Sequence, residues 1–174
     1  MSGVNLRIVR PADLDTFDEA FQTPDGAGEF QWFGFFNSRD LRAELDTRLL
    51  LGGEANMLSV ERAGVLVGRV EWLARYWGRR DTSRCWEIAV GILPEFRRQG
   101  IGTAAQSLLV TYLFDNTPVQ RIQATTDPGN VAEIRCLEKL GFTLEGRVRA
   151  AQWRQGAWRD QLLYSRVRNQ DRSG

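Results

Sequence analysis

The residues with the most chemical promise are Arg97-Arg98-Gln99-Gly100-Ile101-Gly102. They sit where an extended apolar run ends and an apolar helix pattern begins. A glycine-rich turn at a helix N-terminus presents unpaired N–H groups and the positive end of the helix dipole. Gly100 and Gly102 allow an anion to approach the backbone closely. Arg97 and Arg98 add positive charge. Together these features describe a phosphate site, although the six residues alone also fit a tight turn with solvated arginines. A P-loop is excluded because no Gly-Lys-Ser/Thr follows. The dinucleotide fingerprint fails for want of its third glycine.

Composition narrows the chemistry further. The 174 residues hold no histidine, which removes the commonest general base and metal ligand and any triad built on imidazole. Cys85 and Cys136 are too few for a metal cage, so no metal is expected. Both lie in apolar segments, where buried free thiols are commoner than a disulfide. Net charge is +1, which gives no bulk reason to expect a nucleic-acid or membrane partner. No apolar run approaches the length of a membrane span and residues 1–25 carry no signal-peptide core, so a cytoplasmic location is expected.

The elements that must position the turn follow from periodicity and punctuation. Residues 6–10 read as a first strand, and Leu14, Phe17 and Phe21 have helical spacing. Residues 24–29 read as a loop. Apolar positions 41, 45 and 49 mark a helix that Asn37 or Ser38 can cap. Two strands joined at Ala63-Gly64 form a hairpin. The 78–83 turn leads to a strand over 84–93. A helix follows with an apolar stripe at 101, 104, 105, 108, 109, 112 and 113. After a strand over 119–126, Asn130 and Glu133 mark the start of a helix as a capping box, and Lys139 and Gly141 mark its end. Two strands turning at Gln155-Gly156 complete a βααβββαβαββ order. This predicts a single mixed α/β domain over residues 1–174, with helices on a largely antiparallel sheet.

The turn matches the Q/R-x-x-G-x-G/A signature of the GNAT superfamily of acetyl-CoA-dependent N-acetyltransferases. The sequence "EIAVGILPEFRRQGIGTAA" resembles that family's fourth strand and following helix, and "NVAEIRCLEKLGF" resembles its second signature. "LVG" at 66–68 and "EGRVR…G…D…LYS" after Phe142 resemble the RimJ/RimL-like branch, which acetylates ribosomal-protein N-termini. The resemblance spans nearly the whole chain and is most specific over residues 87–142. It implies a GNAT fold with splayed central strands and acetyl-CoA as acyl donor. It also implies that the N–H groups from Arg98 through Thr103, Gln99 and Ile101 included, hold the pyrophosphate. Gly91, Ile92 and Leu93 would pair with the pantetheine arm, and Pro94 would end the strand. Asn130 matches a residue that contacts the cofactor arm, beside its role as helix cap.

Acetyl transfer needs a neutral amine, a donor for the oxyanion and a thiolate that can leave. Glu87 interrupts the apolar strand and matches a glutamate often found in the branch. A buried carboxylate is expected to have a raised pKa, which suits a base working through water, while a paired structural role is the alternative. The N–H of Ile92 or Leu93 is the expected oxyanion donor. The family's usual acid is missing: Leu137 stands where many members have Tyr, and Glu133 where the branch has Ser. Tyr164, Tyr112 and Cys136 are the substitutes, and water is another.

The acceptor is expected against residues 24–40 and the last two strands. Glu29, Trp32 and Phe33 belong to the aromatic run "EFQWFGFF", which reads either as a hydrophobic cover or as the wall of a pocket for a cationic amine. Trp72, Trp77, Trp153 and Trp158 are further wall residues, and Glu71 and Asp160 further anionic partners. Small-molecule amine and peptide N-terminus both remain open, as do monomer and homodimer. A non-catalytic acyl-CoA-binding module is the alternative function.

Overall fold

A computed structural model describes residues 3–168 of the protein. Its elements are β1 (Val4–Arg7), α1 (Pro11–Ala20), α2 (Pro24–Ala27), α3 (Arg39–Arg48), β2 (Ala55–Arg62), β3 (Val65–Tyr76), α4 (Arg80–Ser83), β4 (Arg84–Ile92), a 3-10 turn at Pro94–Phe96, α5 (Ile101–Asn116), β5 (Arg121–Thr126), α6 (Val131–Lys139), β6 (Thr143–Arg154) and β7 (Ala157–Val167). The class is the expected one, α/β with a seven-stranded, mostly antiparallel sheet. Among the described residues no helix is long and apolar enough to cross a membrane.

The chain divides into two compact units that exchange at the middle of β3, β4 and α5. One holds the residues up to Trp72 and Ala89–Leu109; the other holds Leu73–Ile88 and the residues from Val110 onward. In the first, β1 pairs antiparallel with β2, from Val4↔Arg62 to Arg7↔Ser59. Leu14, Phe17 and Phe21 bury the predicted face of α1 in a cluster with Val9, Leu45, Leu50, Met57 and Leu93. Pro11 opens this helix, and the Asp13 carboxylate accepts from the Arg10 N–H at 2.8 Å. Asp13 is buried, and it also takes both guanidinium branches of Arg7 (2.5 and 2.9 Å) and the Ser59 hydroxyl (2.7 Å). Burial alone would push this carboxyl up, but those donors hold it below its ordinary range.

In the second unit β5 pairs parallel with β4 at Trp86↔Ile122 and Glu87↔Gln123, a short ladder that fits splayed central strands. It pairs antiparallel with β7 from Arg121↔Val167 to Thr126↔Leu162. Helix α5 is the crossover that a parallel pair requires. Helix α6 has the expected cap residues, with the Asn130 half of the capping box in place and Gly141 at the C-terminal end. The Asn130 carboxamide accepts from the Glu133 N–H at 3.3 Å. At the other end Gly141 has φ = 77°, and Phe142 and Gly141 donate to the Leu137 and Glu138 carbonyls at 3.0 Å each. This is the paired-bond C-terminal motif that glycine in the left-handed region permits. Both hairpin turns are of the two-residue form with positive φ at Ala63-Gly64 and at Gln155-Gly156.

Several expectations are corrected. The first strand covers Val4–Arg7 rather than 6–10. The 24–29 segment is not all loop, since Thr23 Oγ1 accepts the Gly26 N–H at 3.0 Å and starts the short α2. Arg80–Ser83 likewise forms a helical turn. Strand β5 starts at Arg121, two residues after the predicted 119. Ser38 sits at the N-cap of α3 but makes no side-chain cap bond; its hydroxyl donates to Asp18 instead. On α5 the buried stripe runs through Ile101, Ala105, Gln106, Leu109, Val110 and Leu113, while Leu108 and Tyr112 are exposed.

Candidate active site

In the first unit, β4 ends at Ile92 and Pro94 opens the 3-10 turn, as expected of a residue that cannot donate to a ladder. Arg98 then takes φ = 60° and Gly100 φ = 75°. Such left-handed steps turn successive N–H groups toward one concavity. The space beside Gly100 is open, with no atom within 4 Å of where a Cβ would stand. The Ala104 N–H donates to the Gly100 carbonyl at 3.1 Å. The N–H groups of Ile101, Gly102 and Thr103 therefore precede the first helical bond of α5. These backbone features fit an anionic diphosphate.

The two arginines part company. Arg98 is exposed, whereas Arg97 turns inward. Its Nε donates to the Ile92 carbonyl at 2.9 Å and its Nη1 to the Asp25 carbonyl at 3.0 Å, and Nη2 donates to the Gly26 carbonyl. Burial pulls its pKa down from the arginine value. The expectation that Arg97 faces the anion directly is corrected: each of its three nitrogens donates to a backbone carbonyl, and it ties α2 to the end of β4.

The strand end is also more specific than the sequence suggested. The Leu93 N–H donates to the Val67 carbonyl of β3 at 3.0 Å, so it is not a free oxyanion donor. Neighbouring residues on a strand direct their N–H groups to opposite sides, which turns the Ile92 N–H away from β3. Gly91 and β3 approach closely, since a Cβ on Gly68 would lie 2.3 Å from the Gly91 carbonyl oxygen. Beside Gly91 lie Phe21 and Arg69. Arg69 covers the Phe17 and Phe21 rings and pairs with Glu71 at 2.6 Å, so Glu71 already has a cation.

Glu29, Trp32 and Phe33 fall in this unit on a loop after α2. Glu29 is exposed, Trp32 half-buried, and Phe33, Phe35 and Phe36 are exposed, Phe35 to 85%. Trp32 and Phe35 meet edge to face at 5.5 Å. The reading of this run as a hydrophobic cover is corrected, because a cover would hide its rings. Gln22 clips the end of the run to α1, donating to the Phe36 carbonyl at 2.6 Å. Trp72 is buried in the core, and Trp153 and Trp158 pair with each other at 5.7 Å on the β6–β7 hairpin.

The second unit holds Glu87, Tyr164 and Asn130. Glu87 is not an isolated carboxylate. Its Oε1 accepts from Arg75 Nη2 at 3.2 Å, and its Oε2 accepts from Arg75 Nε at 3.3 Å and Gln123 Nε2 at 2.9 Å. Gln123 is buried, and its Oε1 accepts from Trp77 Nε1 at 2.9 Å and the Cys85 thiol at 3.4 Å. Burial pushes that thiol up, which keeps it a neutral donor. Arg75 and Gln123 were missed in the sequence. Only the β4–β5 register, which no local pattern encodes, brings Gln123 opposite Glu87. Tyr164 is buried on β7 and donates to Glu138 at 3.4 Å; burial, then the glutamate's charge, raises its pKa. Asp160 is held by Arg147 (2.6 Å) and the Ala150 N–H (2.8 Å). Cys85 and Cys136 are buried thiols not joined in a disulfide.

The acetyltransferase (GNAT) domain model matches residues 4–143. The chain belongs to the GNAT family of N-acetyltransferases. As a GNAT protein it is an acyltransferase, and its relatives include a ribosomal N-acetyltransferase of the RimJ/RimL type. YdaF of Bacillus subtilis, provisionally named a ribosomal N-acetyltransferase, is 32% identical over 96% of this chain and 92% of its own length. Two solved structures share the GNAT fold. Spermidine N-acetyltransferase of Vibrio cholerae, in complex with CoA and spermine, superposes with a TM-score of 0.79 at 20% identity, covering 96% of each chain. An acetyl transferase of Salmonella typhimurium, described as modifying the N-terminal serine of a ribosomal subunit protein, gives 0.76 at 17% identity, again over 96% of each.

Proposed function

We propose that this protein transfers the acetyl group of acetyl-CoA to a primary amine, either a polyamine-like small molecule or a peptide N-terminus. The observation that carries the reading is the 98–103 turn, where Arg98 and Gly100 take left-handed φ, the space beside Gly100 is open, and the first N–H groups of α5 precede its first helical bond. The N–H groups from Arg98 through Thr103 bind the pyrophosphate, and Arg98 adds charge. The pantetheine arm lies along the strand end at Gly91 and Ile92, and Asn130 contacts it while capping α6. The interleaving of both units within the matched 4–143 region supports one acetyltransferase domain over residues 1–174. The residues at either end, 1–2 and 169–174, lie outside the described structure. Two buried cysteines outside any disulfide suit a reducing, cytoplasmic setting.

The alkylammonium loses one proton to Glu87, directly or through a water, and Glu87 passes it to solvent. The freed nitrogen lone pair attacks the thioester carbon. The developing oxyanion takes the Ile92 N–H, a contribution of about 3–4 kcal/mol for such a donor. The tetrahedral species collapses, the C–S bond breaks, and its electron pair leaves on sulfur. The second amine proton reaches that sulfur through water, which gives the amide and free CoA thiol. Water is assigned this last role because the Tyr164 hydroxyl is buried against Glu138. Glu29, Trp32 and Phe33 receive the acceptor, a cation meeting the exposed Phe33 ring and the half-buried Trp32 ring.

The test is thiol release from acetyl-CoA with spermidine and with a peptide that begins with serine, each product identified by mass. Release with one of them and a mass increase of one acetyl group on its amine are expected. Tight CoA binding without release from either would contradict the proposal.

A further inference from the structure

We infer that Gln123 is a positioning residue that fixes which oxygen of Glu87 takes the proton in acetyl transfer. The inference rests on the reading of Glu87 as the base. Gln123 is directly opposite Glu87 in the β4–β5 register and is only 4% exposed. An amide side chain can face either way, but here its neighbours decide. The Trp77 indole has only an N–H to offer, and it stands 2.9 Å from the amide oxygen. The Cys85 thiol donates to the same oxygen. Flipping the amide would set donor against donor on that side and oxygen against carboxylate on the other. The Gln123 Nε2 is thereby directed at Glu87 Oε2.

The two oxygens of Glu87 are consequently not equivalent. Oε2 receives Gln123 and Arg75 Nε, which fills both of its acceptor positions. Oε1 receives Arg75 Nη2 alone and keeps one position for an incoming hydrogen. The chain Trp77–Gln123–Glu87 therefore selects Oε1 as the basic atom and holds its free lone pair in one direction. This gives Trp77 a use of its own. Its ring is largely exposed, yet its N–H points inward, which an acceptor-wall residue would not need.

The experiment uses the full chain, acetyl-CoA, and whichever of spermidine and the serine peptide gives more thiol release. Steady-state kinetics are measured for Glu87→Gln, Gln123→Met, the double variant and Trp77→Phe, with thermal unfolding of each. Glu87→Gln is expected to lower kcat by roughly 100-fold or more, the range of a lost general base. Gln123→Met is expected to lower kcat on the order of 10-fold or more, because small misplacements of a reacting group are costly. In both, the KM for acetyl-CoA should be unchanged. The double variant should be no slower than Glu87→Gln, since Gln123 acts only through Glu87. Trp77→Phe keeps a ring and removes the orienting N–H, and it should lower kcat several-fold. Wild-type turnover in Glu87→Gln would overturn the base on which the inference rests. A slow Glu87→Gln beside a wild-type Gln123→Met, or multiplied losses in the double variant, would overturn the positioning role alone. Should Gln123→Met fail to fold, Trp77→Phe decides, and wild-type kcat in it overturns the inference.

Discussion

The Nε of Arg97 donates to the Ile92 carbonyl at 2.9 Å, and the same guanidinium reaches back to the Asp25 and Gly26 carbonyls of α2. A side chain from the glycine-rich turn thus fixes both the strand end before it and a helix seventy residues upstream in the chain. Arg97→Ala would leave those carbonyls without their donor. It is expected to cost about 1–3 kcal/mol of stability, the penalty for unpaired buried polar groups. Arg98→Ala, at an exposed position, should leave stability within about 0.5 kcal/mol and weaken CoA binding instead. Thermal unfolding and calorimetric titration of CoA on the two variants would separate these effects. Equal behaviour of the two would show that the arginines are interchangeable.

Gly68 makes the approach of β3 to Gly91 possible. Gly68→Ala puts a methyl group 2.3 Å from the Gly91 carbonyl oxygen, and backbone, unlike a flexible side chain, gives way only by moving the strand. The expected loss is about 1–3 kcal/mol, as for other overpacked positions, with a rise in the KM for acetyl-CoA. Unchanged melting and unchanged KM together would show that the two strands can part freely at this point.

The network around Asp13 sets an acid limit on the first unit. The folded carboxyl titrates below its unfolded value, because Arg7, the Arg10 N–H and Ser59 outweigh burial. Its contribution is therefore fully present above the unfolded value of about 3.9 and is lost as pH falls through the lower folded value. Asp13→Asn should cost about 3 kcal/mol at neutral pH, since Arg7 is left with Glu61 as its carboxylate partner. It should also flatten the fall in stability below about pH 4. Denaturant unfolding between pH 3 and 7 measures both, and parallel curves for wild type and variant would rule out the role.

Trp32 is half-buried and Phe33 exposed on the loop after α2. Trp32→Ala and Phe33→Ala should change stability far less than the roughly 3–5 kcal/mol of a core aromatic, because neither ring is fully buried. If the loop receives the acceptor, each should raise the KM for the amine and leave that for acetyl-CoA alone. Loss of stability with both KM values unchanged would place these rings in packing only.

What the sequence revealed was what is encoded locally. The cap residues Asn130 and Gly141 and the turn pairs Ala63-Gly64 and Gln155-Gly156 determine their own geometry within a few residues, and each was readable. The glycine-rich turn was readable for the same reason, because its φ angles and helix start are properties of consecutive residues. The inward course of Arg97 was not, since an arginine beside glycines looks the same whether it faces an anion or carbonyls seventy residues away. Gln123 was hidden likewise: a polar residue on a strand shows its meaning only when the register sets it opposite Glu87. The aromatic run left two readings open in the sequence, because apolar residues imply a buried face only when some element covers them.

If the 98–103 turn holds the diphosphate of CoA, a negative charge at Gly100 must weaken CoA binding. The φ of 75° at Gly100 lies where Asn and Asp are better tolerated than other side chains, and the space beside it is open. Gly100→Asn and Gly100→Asp therefore differ chiefly in one negative charge aimed at the anion site. With folding of both confirmed by thermal unfolding, calorimetric titration of CoA should show at least a roughly tenfold weaker Kd for the Asp variant than for the Asn variant, about 1.4 kcal/mol. Equal CoA affinity in the two folded variants and the wild type would contradict the account.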